Sequence, residues 1–207
     1  MSEATSQLYV HAFPPERTFA LIPCDDNGGD PCQSIIQAFA EHDFHVTRDV
    51  IVSTQDVPGD LTAQAGDFWF HTDGVFLEPP PRWVVIQVLE TEQGGELHVL
   101  NAAGLSESLP CGDVLFGQPH RGVTAPLVAA AAIRQQVFRY RQDYMHPLPG
   151  GADLEAAHRV VRDLAEQNAV PLGALVPYDC LVLDNWCVMH RRENFLGRRV
   201  IRRLWLS

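Results

Sequence analysis

Phe70-His71-Thr72-Asp73-Gly74 sets a histidine and a carboxylate two residues apart. Strand side chains alternate with a period of two, so on a strand both groups leave from one face and can bind one ion. A third ligand is needed. His190, more than half the chain further on, follows the apolar run CLVLDNWCVM. Two imidazoles and one carboxylate on one side of a metal leave adjacent positions open, which is the ligand arrangement of non-heme Fe(II) oxygenases. The triplet alone is a weak signal, because nine histidines produce such spacings by chance.

A second set of reactive groups lies in the last 17 residues, which hold Arg191, Arg192, Arg198, Arg199, Arg202 and Arg203. In a chain of net charge -11 this cluster calls for an anionic partner. Strand parity divides the closing run: Arg199, Ile201 and Arg203 share one face, and Arg198, Val200 and Arg202 the other. A guanidinium fork donates two parallel, charge-assisted bonds to a carboxylate. The competing reading is a charged edge that discourages strand pairing, but such an edge has little use for arginines on both faces.

Other candidates have plainer readings. His98 alternates with apolar neighbours and reads as partner-satisfied or surface; His120, His146 and His158 read as surface residues. Arg139 and Arg141 fit either substrate contact or surface salt bridges. Trp69 and Trp186 fit packing, and Asp184-Asn185 fits a structural turn, since both side chains bond local backbone.

These groups need elements to hold them. Asp30-Pro31-Cys32-Gln33 reads as a helix start, with Asp at the N-cap and Pro at the first helical position. Ile35, Ile36, Phe39 and Ala40 then supply an apolar stripe, which predicts a helix over about residues 31–42. From about residue 44 to 141 the texture is short strand-like runs, HVTRDVIVS, FWFHTDGVF, RWVVIQVLE, ELHVLNA, DVLFG and RQQVFRY. Turn signals at Val57-Pro58-Gly59-Asp60, Pro79-Pro80-Pro81 and Gly94-Gly95 separate them. DLEAAHRVVRDLAEQN puts Leu154, Ala157, Val161 and Leu164 on one helical face, capped by Asp153. CLVLDN and RRVIRRLWLS return to strand character. The whole is the pattern of an antiparallel sandwich or jelly roll, mainly β with a few flanking helices.

The 207 residues suffice for one domain, 1–207. The acidic balance argues against a nucleic-acid partner, which needs basic surface to displace counterions. No basic leader precedes an apolar run and no stretch reaches the roughly 18 apolar residues a membrane span needs, so a cytoplasmic location is expected. Five cysteines, an odd number without a CxxC pair, read as reduced packing thiols.

The order HTDGVF, a Pro-rich turn, WVVIQV, GGELHVLN, FRYRQDY, LVLDNWCVMHRRENF and RRVIRRLW resembles the taurine dioxygenase and clavaminate synthase-like superfamily over about residues 66–206. The resemblance implies a double-stranded β-helix whose mouth holds Fe(II) and 2-oxoglutarate. It implies that His71, Asp73 and His190 are the iron ligands, and that Arg199 clamps the distal carboxylate of 2-oxoglutarate. Arg203 matches the position that helps with 2-oxoglutarate or a substrate carboxylate. The implied reaction consumes O2 and oxidises a small molecule, such as an amino acid or natural-product intermediate, by hydroxylation, desaturation or cyclisation. Oligomeric state is left open. Leu97 departs from the pattern, standing where the superfamily commonly has a threonine that bonds the same carboxylate. The nine-residue step from His190 to Arg199 is a little short, and Pro177-Tyr178-Asp179 replaces a Pro-Gly-Asp turn. The chain is also short in the segments that usually cover substrate. Two rivals remain: a metal-dependent jelly-roll enzyme that does not use 2-oxoglutarate, and a non-catalytic ligand-binding barrel.

Overall fold

The computed structural model describes residues 18–24, 30–54, 62–103, 105, 113–116, 128–131, 133–134, 137–147 and 153–207. Cys111, His120 and the turns at 57–60 and 148–151 lie outside them. The chain runs β1 (Phe19–Ile22), α1 (Pro31–Ala40), β2 (Val46–Ser53), β3 (Phe68–His71), β4 (Trp83–Gly94) and β5 (Leu97–Asn101). There follow β6 (Asp113–Phe116), β7 (Val128–Ala131), β8 (Ile133–Arg134), β9 (Val137–Phe138), β10 (Met145–Pro147) and α2 (Leu154–Asn168). Last come β11 (Val170–Gly173), β12 (Cys180–Asp184), β13 (Val188–Arg192) and β14 (Phe195–Leu206). The predicted strand over FWFHTDGVF is real only as far as His71, and a turn takes over before Asp73.

Two antiparallel sheets position the candidate site. One has the order β1-β12-β4-β14-β2 and the other β11-β5-β13-β3. Successive strands swap sheets from β2 through β5 and again from β11 through β14. The late strands thereby insert between early ones: β13 lies between β5 and β3, and β14 between β4 and β2. Smaller pieces, β10-β6-β7 and β8-β9, complete the described β structure.

Alternation along β4 explains the layering. Val84, Ile86 and Val88 point inward and join Leu97, Val99, Leu181, Leu183, Val188 and Ile201 in a core between the sheets. Val85, on the opposite face, packs with Cys32, Ile35 and Phe39 of α1. Helix α1 starts where the sequence predicts: the Asp30 carboxylate accepts from Cys32 N at 2.9 Å and Pro31 occupies the first turn. Asp30 also accepts from Gln87 Nε2 at 2.7 Å, which satisfies the one buried polar residue on that face of β4. On the outer face of the second sheet, Ala157, Val161 and Ala165 of α2 pack with Phe70, Leu100 and Met189. Among the described residues no helix is long and apolar enough to cross a membrane.

Candidate metal centre

His71 ends β3, and His190 lies directly opposite it on β13. From His190 to Arg192 is two residues, whereas from His71 back to their partner Phe68 is three, so β3 carries a bulge at Trp69-Phe70. The bulge lets Phe68 and His71 face the interior together despite their odd spacing, and their rings stack at 3.7 Å between centroids. The His71 and His190 rings lie 4.2 Å apart.

Asp73 reaches the same spot from the turn, not by strand parity. Asn185 makes that turn: its Oδ1 accepts from Asp73 N at 2.7 Å, while its Nδ2 donates to Asp73 O at 3.0 Å and Pro81 O at 2.9 Å. Gly74 follows at φ +64, and a Cβ there would lie 2.6 Å from Pro81 Cδ, so only glycine fits. Thr72, between the two candidates, donates its N–H to Tyr140 O at 2.7 Å. One ligand atom from each of His71, Asp73 and His190 lies within 4.8 Å of the others, and all three residues are buried.

The hydrogen bonds identify what those atoms offer. A carbonyl oxygen only accepts, so His71 Nδ1 carries the proton it donates to Trp69 O at 2.8 Å, and Nε2 presents a lone pair. That Nε2, 3.7 Å from Asp73 Oδ1, and both ring nitrogens of His190 are buried with no hydrogen-bond partner among the described residues. An unmade bond of this kind costs about 1–3 kcal/mol, which a cation shared with Asp73 would recover. Burial, then the neighbouring His190, Arg141 and Arg203 charges, hold His71 well below the usual imidazole range. Burial likewise pushes His190 down to about 4, with Asp73 opposing. Both rings are therefore neutral at physiological pH, as metal ligation requires. Burial pushes the Asp73 carboxyl up, but Arg203, His190 and Trp205 outweigh it and leave the group lowered and ionised. Asp73 Oδ1 accepts from Arg203 Nη1 at 3.2 Å and Oδ2 from Trp205 Nε1 at 3.0 Å. Two imidazole nitrogens and one carboxylate suit Fe(II), so the residues present fit the expected metal.

A cavity between the sheets adjoins the two histidines, walled by Phe68, Ile86, Leu97 and Ile201 and by Arg192, Arg199 and Arg203. The parity reading of the closing run holds. Arg199 and Arg203 are each 7 % exposed, whereas the Arg198 side chain is 66 % exposed and pairs with Glu90 at 3.0 Å. Arg202, on the outer face, pairs with Asp49 at 2.8 Å. Burial, reinforced by the Arg192 and Arg203 charges, lowers Arg199 to about 9. It remains a cation at neutral pH.

Several plainer readings hold and others need correction. His98 is satisfied by Glu193 at 2.9 Å, and although Glu96 joins them in a second possible ligand group, that group is partly exposed. His146 is exposed. His158, expected at the surface, is 6 % exposed, and its Nδ1 lies 2.9 Å from the Tyr140 hydroxyl. Its partner comes from a distant loop, which local spacing does not reveal. Arg139 and Arg141 are buried, not surface, residues: Arg139 pairs with Glu78 at 2.8 Å, and Arg141 pairs with Asp143 while lying 5.0 Å over the Phe68 ring. Trp69 and Trp186 pack, the first under Arg191 and the second donating to Pro80 O at 3.1 Å. Sequence alone assigns no site role to Asn185, Trp205 or Arg192. Trp205 shares the parity of Arg203, and Arg192 that of His190, so period-two spacing is the signal for those two; Asn185, in a turn, carries no such signal.

The two interleaved sheets have the fold of solved non-heme iron oxygenases. The chain is similar to non-heme iron oxygenase OrfP in complex with Fe and alpha-ketoglutaric acid, with a TM-score of 0.69 at 11% identity, over 99% of this chain and 79% of that one. It is also similar to asparagine oxygenase in complex with Fe(II), 2S,3S-3-hydroxyasparagine and succinate, with a TM-score of 0.58 at 19% identity, over 75% of this chain. The match spans 56% of the asparagine oxygenase chain, little more than half its length. No family model matches the sequence, and no curated protein does.

Proposed function

We propose that the chain is an Fe(II)- and 2-oxoglutarate-dependent oxygenase, one domain whose paired sheets are the double-stranded β-helix expected from the sequence. The observation that carries this reading is the three buried imidazole nitrogens, His71 Nε2 and both of His190, that lack a hydrogen-bond partner among the described residues beside an ionised carboxylate, at the end of a cavity walled by arginines. His71 through Nε2, His190 through a ring nitrogen and Asp73 through its carboxylate would hold the iron. When bound, the iron supplies a Lewis-acid and redox centre at which 2-oxoglutarate gives succinate and CO2 while O2 oxidises the substrate.

The protein's own groups orient and exclude. Arg203 and Trp205 each take one Asp73 oxygen and fix its plane. Asn185 fixes the backbone on both sides of the same residue. Arg199 receives the distal carboxylate of 2-oxoglutarate. Arg203, already bonded to Asp73, serves the cosubstrate more through its charge than through its fork. Phe68, Ile86, Leu97 and Ile201 keep water from the cavity, which strengthens each ionic contact inside it.

The substrate is a small molecule, best an amino acid or a derivative of one. Supporting this, one similar structure carries a hydroxylated asparagine, and OrfP has been solved with (3R,4R)-dihydroxy-L-Arg and succinate. The test is anaerobic addition of Fe(II) and 2-oxoglutarate to apoprotein, followed by the visible charge-transfer band and, after O2, by succinate release. A band followed by succinate supports the reading. Iron binding without the band points to a metal enzyme that does not use 2-oxoglutarate. A band without succinate, across a panel of free amino acids, points to a binding barrel.

A further inference from the structure

The segment that follows β9 carries an ion pair with no task in holding the metal or the cosubstrate. Tyr140 joins it to Thr72, the residue between His71 and Asp73: Tyr140 O accepts from Thr72 N at 2.7 Å, and Tyr140 N donates to Thr72 Oγ1 at 3.1 Å. Phe138 and Tyr140 pack toward α2, so by the alternation of an extended chain Arg139 and Arg141 face the other way. Arg141 lies 5.0 Å from the Phe68 ring, which itself stacks on His71 at 3.7 Å. Its charge acts on His71, Asp73 and His190, and on His71 more strongly than the charge of Arg203 does. Yet Arg141 is no part of the wall of the cavity that holds Arg199 and Arg203. It stands beside the ligand group without entering the cosubstrate pocket.

The way Arg141 is held determines what it can still bind. Its Nε donates to Asp143 Oδ1 at 3.1 Å and its Nη2 to Asp143 Oδ2 at 3.1 Å, which fills one edge of the guanidinium. The Tyr144 ring lies 3.7 Å from Cζ and fixes the plane. Nη1 makes no hydrogen bond among the described residues, so the end of the fork, Nη1 with the second N–H of Nη2, can donate two parallel bonds to a carboxylate. Asp143 neutralises Arg141, and the pair is therefore a dipole in place of a bare cation. A simple carboxylate that approaches Arg141 also meets the repulsion of Asp143. A zwitterion laid antiparallel across the pair gains at both ends, its carboxylate on Arg141 and its ammonium on Asp143, whose side chain is 26 % exposed. An α-amino acid holds both groups on one carbon.

We propose that Arg141 and Asp143 form the substrate's headgroup subsite: the pair reads a free α-amino acid, with the carboxylate on the open end of Arg141 and the ammonium on Asp143, leaving the side chain to reach the metal. The proposal rests on the Fe(II) and 2-oxoglutarate reading above and narrows its substrate class to amino acids with both groups unblocked.

The experiment adds each of the common L-amino acids to anaerobic protein loaded with Fe(II) and 2-oxoglutarate, and reads binding from the shift of the charge-transfer band and by calorimetry. Every amino acid that binds is then compared with its α-amide, which lacks the carboxylate charge, and with its N-acetyl form, which lacks the ammonium. At least one free amino acid is expected to bind, and each blocked form on the order of tenfold more weakly, as loss of a charge-assisted bond predicts. Arg141→Gln is expected to erase the preference over the amide and Asp143→Asn the preference over the N-acetyl form, while both variants hold 2-oxoglutarate within about twofold of the wild type. Should Arg141→Gln fail to fold by circular dichroism, Asp143→Asn, at a partly exposed position, decides alone. Equal weakening of free and blocked forms overturns the proposal, since a merely structural ion pair would act in that way. Unchanged preferences in the variants overturn it too, as does wild-type protein that binds blocked and free forms alike. If the band forms but no amino acid binds, the headgroup proposal falls and the cosubstrate reading stands. If no band forms, the 2-oxoglutarate reading itself fails and the headgroup proposal falls with it.

Discussion

Asp73 is held at four atoms, two backbone and two carboxylate, whereas the His71 ring makes one hydrogen bond and the His190 ring none among the described residues. Strand pairing already holds the two histidines, so the added bonds go to the candidate ligand that lies in a turn. We expect His71→Ala, Asp73→Ala and His190→Ala each to abolish stoichiometric iron binding, measured by metal analysis, with the fold retained; full iron content in His190→Ala would remove it from the ligand set. Asn185→Ala touches no ligand side chain, yet loss of such outer support typically costs 10–100-fold in metal affinity, and a drop of that size is expected. Arg199→Ala should raise the 2-oxoglutarate concentration needed for the charge-transfer band on the order of tenfold, and Arg198→Ala should leave it unchanged. Equal effects would point to diffuse electrostatics in place of a clamp. The metal-free protein should also lose stability in mild acid. Unfolded histidine titrates near 6.5, while folded His190 resists protonation down to about 4 and His71 is lowered as well. The unfolded state therefore binds more protons between those values, and stability falls as pH drops from about 6.5 toward 4, by at most about 1.4 kcal/mol per unit per group. Urea melts at several pH values would read this directly; a flat profile would mean that the rings are not buried neutral.

At the scale of elements, each face of a strand has its own task. On β14, Arg199, Arg203 and Trp205 serve the interior, while Arg202 pairs with Asp49 of β2. This division was legible in the sequence because period-two parity needs no knowledge of the partner strand. The grouping of His71, Asp73 and His190 was legible in part: residue type and the apolar run before His190 pointed to it, but the route of Asp73 through a turn did not follow from spacing. The β3 bulge was not: Trp69 and Phe70 carry none of the glycine or proline signals that mark irregular strands, and only pairing with β13 reveals the extra residue. The roles of Asn185 and Arg192 likewise depend on partners brought by other strands. Helix α1 was read closely because its signals are local: a cap, a proline and an apolar stripe. Asp30→Ala should cost about 0.5–2 kcal/mol in urea unfolding through loss of the cap, more if Gln87 is left unsatisfied, while iron affinity stays unchanged. A change in iron affinity would show that α1 and the cavity are coupled through β4.

At the scale of the whole molecule, the candidate iron site ties an early segment to a late one, so ligation and folding stability are linked. Fe(II) at a hundred times its dissociation constant should add about 2.7 kcal/mol to unfolding, seen as a metal-dependent rise in Tm that His190→Ala abolishes. The sheet order has a further consequence for assembly. Strand β14 is central, lying between β4 and β2, so the first sheet is whole only once Phe195–Leu206 has docked. Before that, β2 and β4 turn unpaired edges toward the gap, and such edges are templates for pairing with another chain. The second sheet needs no residue of β14. A species in which β14 alone has come loose therefore keeps one sheet and offers two open edges from the other, which makes it the form most prone to aggregate.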